Sequence, residues 1–146
     1  MESLIAAAFL WYHDLGTYEE YNSLLDKKFL QNPDSDILLE LEWCSSDCGK
    51  TFEVLFHFWH YEYFQFFDTD IFGKNLFHGL ETVYKSNSIS LTEFGSRCYQ
   101  LWTNLSNEPI CDIEPFFTLS YADDCLSYGD EAQTRELYEK AFSFYK

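Results

Sequence analysis

The chain has 146 residues, 47% of them hydrophobic and 21% aromatic, and it sets 9 Lys and Arg against 25 Asp and Glu for a formal net charge of −16. Length and apolar content are those of one folded domain with a full core, and they exclude a disordered chain. The charge argues against direct contact with nucleic-acid phosphates or an anionic membrane leaflet, because both need Lys and Arg.

Charge of that size attracts a positively charged partner from a distance, and it also keeps an aromatic-rich chain soluble. Cys44, Cys48, Cys98, Cys111 and Cys125 are odd in number. An odd count suits a reducing cytoplasm better than a disulfide-stapled secreted scaffold. The apolar run over 4–12 has Glu2 where a signal peptide carries a positive residue, and His13-Asp14-Leu15-Gly16 is no small-residue cleavage site. No apolar run approaches the ~20 residues that span a bilayer. A cytoplasmic protein is expected.

In chain order, Leu4, Ile5, Ala8, Phe9 and Tyr12 fall at helical spacing behind Ser3 as N-cap, with Gly16 ending the helix. Thr17 and Glu20 form a capping box for a second helix, whose inner face is Tyr21, Leu24 and Leu25. Asn32-Pro33 breaks the chain, and Pro33 suits the first position of the next helix. The stretch 37–58 has two readings. Its alternation at 39–43 and 52–58 fits a small hairpin, which would make the fold α+β. Its Leu and Glu content and the length of the second run favour two helices. Helices are the preferred assignment.

The segment 51–67, TFEVLFHFWHYEYFQFF, has eleven Phe, Tyr, Trp, Leu or Val residues and is expected as the central helix, surrounded by the others. Asp68 and Asp70 can cap the helix that follows, which stacks Leu76, Leu80 and Val83 beside Phe77 and Tyr84. Ser90 and Glu93 make a capping box, Ile89 and Phe94 a hydrophobic staple, and Leu91, Phe94, Cys98, Leu101 and Leu105 one stripe. The interval 106–129 holds two prolines and is expected to be mostly irregular. Asp130, with Gln133, caps a last helix whose wet side carries Glu131–Arg135 and Glu136–Lys140 and whose inner side is Leu137, Ala141 and Phe144. The expected fold is all-α, residues 1–146 forming a single helical domain of about six or seven helices.

No constellation for catalysis stands out. Cys44, Cys48, His57 and His60 have zinc-ligand chemistry, but at Cys-x3-Cys and His-x2-His spacing inside an aromatic run. There is no Gly-x-Ser-x-Gly elbow and no phosphate-cradling glycine loop. Cys98, beside Arg97, falls on an inner stripe. Asp123-Asp124 lacks a third ligand, and sequence neighbours seldom share a face. No enzyme activity, metal or cofactor is expected.

Charge is clustered instead. Between Arg97 and Arg135 there is no Lys or Arg, while Glu108, Asp112, Glu114, Asp123, Asp124, Asp130 and Glu131 share the interval with Phe116, Phe117, Tyr121 and Tyr128. Carboxylates that steer a basic protein, beside aromatic anchors that slow its release, make Asp112, Glu114, Tyr121, Asp123, Asp124, Tyr128, Asp130 and Glu131 the candidate partner-binding residues. A second acidic zone, 29–73, carries nine carboxylates against Lys50 alone. Asp68 and Asp70 of this zone, and Asp130 of the first, are expected to serve as helix caps.

With segments such as LLELEWCSSDCGKT (38–51) and EPFFTLSYADDCLSYGDE (114–131), the chain resembles the small acidic immunity proteins of bacterial toxin–immunity pairs, those of contact-dependent growth inhibition being nearest. The resemblance is one of general character over the whole chain: short, acidic, aromatic-rich and without a catalytic motif. It carries no residue role across. It implies a protein that covers the active site or substrate cleft of a cognate, cationic, nuclease-type toxin. Two other functions stay open: a nucleic-acid-mimicking inhibitor of a defence or regulatory protein, with carboxylates in rows along one long face, and an enzyme of unrecognised type, with a deep polar pocket. Oligomeric state is not legible.

Overall fold

The computed structural model describes residues 1–105 and 109–146; Glu108, one of the acidic residues singled out above, lies outside the described residues. The fold is all-α, with seven α-helices and no strand among the described residues. They are α1 (Glu2–Tyr12), α2 (Tyr18–Gln31), α3 (Asp36–Trp43), α4 (Cys48–Phe58), α5 (Thr69–Ser86), α6 (Leu91–Asn104) and α7 (Glu131–Ser143). The stretch 37–58 is therefore helical, with no hairpin: Asp47 accepts the Lys50 N–H at 2.9 Å and starts α4 where a hairpin would have turned. Internal contacts group the chain into two compact units, Met1–Leu76 and Phe77–Lys146, the division falling inside α5.

In the first unit α1 packs on α2 and α4, and α3 on α2 and α4. The core of this unit is made of Leu4, Ile5 and Phe9 of α1, Tyr21 and Leu25 of α2, Leu41 of α3, Leu55 of α4, and Trp59 and Phe72, all buried. The Phe9 ring lies 4.9 Å from Phe52, 5.7 Å from Trp59 and 6.0 Å from Phe72. Burying each such ring contributes about 1.5–3 kcal/mol. The Thr17–Glu20 capping box forms as expected.

Other boundaries differ from expectation. The first helix begins at Glu2, with Met1 at the N-cap position in place of Ser3. It ends at Tyr12, ahead of Gly16, and Asp14 takes a left-handed conformation (φ 56°) in the turn that follows. Gly16 is small for another reason: a Cβ there would stand 2.8 Å from the Leu10 Cβ. Ser35, not Pro33, precedes α3, because its hydroxyl accepts the Leu38 N–H.

The aromatic segment is the largest departure. The α-helix stops at Phe58, Trp59–Tyr63 forms a π-helical turn, and a turn follows before α5. Val54, Leu55 and Trp59 are buried, but Tyr61, Phe64 and Phe66 face solvent. A helix cannot aim consecutive residues into one core, so a run this rich in rings must leave some outside.

In the second unit α6 carries the expected stripe, with Phe94, Cys98, Leu101 and Leu105 buried. Ser90 caps it, while the Glu93 carboxylate pairs with Arg97 at 2.9 Å. The interval expected to be irregular is built from three 3-10 helices, Pro109–Asp112, Phe116–Ser120 and Ala122–Tyr128. The second and third pack on α6 and α7, the first packs on the second, and together they contribute Ile110, Phe116, Leu119 and Ala122 to the core. Asp130 caps α7 as expected. The inner face of α7 is Thr134, Tyr138, Ala141 and Phe142, with Phe144 exposed. The phase is set by Thr134, whose hydroxyl donates to the Ala122 carbonyl at 2.7 Å.

Candidate functional site

The eight residues singled out between 112 and 131 divide by what their side chains already do. Glu114 is committed to the fold. Its carboxylate accepts from the Thr118 N–H and hydroxyl and from the Tyr121 hydroxyl, so it pins the start of the 116–120 helix. Tyr121 is half-buried, 5.4 Å from the Phe117 ring. Asp130 accepts the Gln133 N–H at 3.1 Å as the α7 cap. Glu131 pairs with Arg135 at 2.7 Å, and that guanidinium also donates to the Tyr84 hydroxyl.

Asp123 is half-buried against Gly95, where an added Cβ would come within 2.6 Å of the Asp123 Cβ. Burial, then the neighbouring Asp124 charge, pushes its carboxyl up, against a backbone hydrogen bond within the residue. Asp112, Asp124 and Tyr128 are exposed, as are Glu114 and Glu131 despite those contacts, with Tyr128 at 69%. The structure thus gathers Asp124 and Tyr128 on one 3-10 helix and joins Glu114 to Tyr121, while Asp130 and Glu131 serve α7.

The first unit holds a surface that sequence reasoning placed in the core. Tyr61, Phe64 and Phe66 are 71%, 57% and 72% exposed, and Trp43, the last residue of α3, is 81% exposed. Large exposed rings at this density mark an interaction surface more often than chance exposure. The signal was present in the sequence as five rings among the seven residues 61–67, more than one helical face can hide.

The same unit has a shallow recess of about 180 Å3 lined by Ile37, Glu40, Lys50, Glu53, Val54, His57 and Glu62. The His57 ring lies 4.7 Å from Tyr61, which puts Tyr61 at its edge. Lys50 approaches Glu53 at 3.8 Å, both exposed. On the neighbouring helix pair, burial and then the Asp26 carboxylate push Glu42 above the usual range, a mark of crowded negative charge.

For the zinc-type residues, Cys44 Sγ lies 3.7 Å from the Leu41 carbonyl and His60 packs its ring on Phe56 at 4.8 Å. Among the described residues no group of three His, Cys, Asp or Glu side chains is placed to hold a metal ion, and no helix is long and apolar enough to cross a membrane. No protein-family model, no curated protein and no solved structure matches this chain.

Proposed function

We propose that the chain is an immunity protein, acting in the cytoplasm, that binds a cognate cationic toxin of nuclease type and neutralises it by covering its active site or substrate cleft. The observation that carries this reading is the pairing of a net charge of −16 with large exposed aromatic side chains set among exposed carboxylates. Tyr128 stands with Asp124 in one unit, and Tyr61 with Glu62 in the other. Carboxylates so placed match the Lys and Arg that a nuclease uses on phosphates, and they speed encounter. Exposed rings supply the contact area that slows release.

The test is inhibition of a basic nuclease toxin encoded beside this chain. Purified protein added to that toxin should abolish RNA or DNA cleavage at equimolar amounts. The association rate should fall roughly tenfold or more between low and high salt, as for a steered complex. Undiminished cleavage at a several-fold excess of this protein refutes the proposal.

A further inference from the structure

Four features of the Met1–Leu76 unit bear on what it can bind. The π turn Trp59–Tyr63 interrupts the helical register where the chain leaves α4, a device frequent at functional positions. Tyr61 within it and Phe64 and Phe66 past it are turned to solvent, while Trp59 stays in the core. Glu62 of the same turn closes the recess formed by Ile37 and Glu40 of α3 and by Lys50, Glu53, Val54 and His57 of α4. Trp43 stands three positions beyond Glu40, on the exposed side of α3.

The chemistry of the recess defines its occupant. Three carboxylates (Glu40, Glu53, Glu62) face one ammonium (Lys50), a net −2 with His57 neutral. Ile37 and Val54 offer aliphatic surface between them. A group that fits must be cationic at its tip and apolar along its stem. Arginine meets both demands better than lysine, because its planar fork engages carboxylates two at a time and its face stacks on a ring such as Tyr61.

We propose that this aromatic face is the docking surface for a basic partner protein, which seats an arginine side chain in the Glu40–Glu53–Glu62 recess against Tyr61. The proposal rests on the reading that the partner is cationic. It assigns the main contact to the first unit, not to the 112–131 interval. There, Glu114, Asp130 and Glu131 are already engaged within the fold.

The probe is N-acetyl-arginine amide, with N-acetyl-lysine amide beside it, titrated into the full chain and followed by backbone amide and Trp43 indole chemical shifts. Saturable shifts at Glu53, His57 and Glu62 are expected, with the arginine compound binding several-fold more tightly. Glu53→Gln combined with Glu62→Gln, and separately Tyr61→Ala, should weaken it at least tenfold with unchanged urea midpoints, since these side chains are exposed. Asp112→Asn combined with Asp124→Asn should change it less than twofold. Absence of saturation at these positions, or equal weakening by the Asp112/Asp124 variant, overturns the proposal.

The two readings fail separately. A toxin inhibited equally by wild type and by the Glu53/Glu62 variant keeps the immunity function and removes this docking surface. Specific arginine binding here, with no toxin inhibited, does the opposite.

Discussion

The Glu2 carboxylate accepts the Tyr63 hydroxyl at 2.9 Å, tying the first turn of α1 to the π turn 61 positions away. The Asp68 N–H donates to the same oxygen at 3.0 Å, and the Met1 α-ammonium lies 3.2 Å from the other. This buried acid therefore ties down the chain on either side of the exposed Phe64 and Phe66. Burial works to raise its pKa. The Asp68 N–H leads the opposing contributions, with its own backbone N–H, the Tyr63 hydroxyl and the α-ammonium, and together they hold the carboxyl below 4.5. The Tyr63 hydroxyl, by burial first and then by this bond, is pushed up to about 12.

Loss of that acid should therefore cost stability. Glu2→Gln is expected to lower unfolding free energy at neutral pH by roughly 1–3 kcal/mol, and Tyr63→Phe by about 1 kcal/mol. A carboxyl held below its unfolded value stabilises above that value, and the gain disappears as pH falls through the folded one. The difference between wild type and Glu2→Gln in urea titrations should thus shrink as the pH is taken below 4.5. A gap that stays constant down to acid pH would contradict the assignment.

His13 sets a second, higher window. It is buried beside Phe9 and Tyr12, and desolvation lowers it from 6.5 to about 4, against the opposing charge of Asp14. Between those two values the unfolded chain binds the extra proton, so stability is full above 6.5 and falls as the pH drops toward 4. The loss over that window is on the order of 3 kcal/mol. His13→Gln should flatten the slope between pH 4 and 6.5 in stability profiles while leaving the steeper acid limb below it.

Gly95 lets α6 approach the 122–128 helix closely. A Cβ there would meet the Asp123 Cβ at 2.6 Å and the Tyr138 hydroxyl at 3.2 Å. Gly95→Ala is expected to destabilise by about 1–3 kcal/mol through overpacking. Adding Asp123→Gly should recover part of that loss in thermal melts, because it removes the nearest clashing carbon. An additive loss in the double variant would place the strain elsewhere.

Within the acidic interval, side chains of one charge should behave differently. Glu114→Ala removes the acceptor of the buried Thr118 hydroxyl and is expected to cost about 1–2 kcal/mol. Asp112→Asn and Asp124→Asn, on exposed positions, should stay within about 0.5 kcal/mol of wild type. Chemical denaturation of the three variants separates fold-bearing from solvent-facing carboxylates, and equal effects would show that the hydrogen bonds of Glu114 matter little.

The sequence alone was enough for the helical class, for caps at Thr17, Ser90 and Asp130, and for the α6 stripe, because capping and 3.6-residue periodicity are local and act within a few residues. It was also enough for the charge, which no fold can alter. Tertiary structure decided which side of a ring-crowded segment meets the core. Trp59 goes in and Tyr61, Phe64 and Phe66 go out because α1 and α5 present Phe9 and Phe72 to one side only, and the π turn resets the register between them. It likewise decided that Glu114 is a structural acid and that Glu40, Glu53 and Glu62 line one recess. Both depend on residues brought together by packing, which chain spacing does not encode.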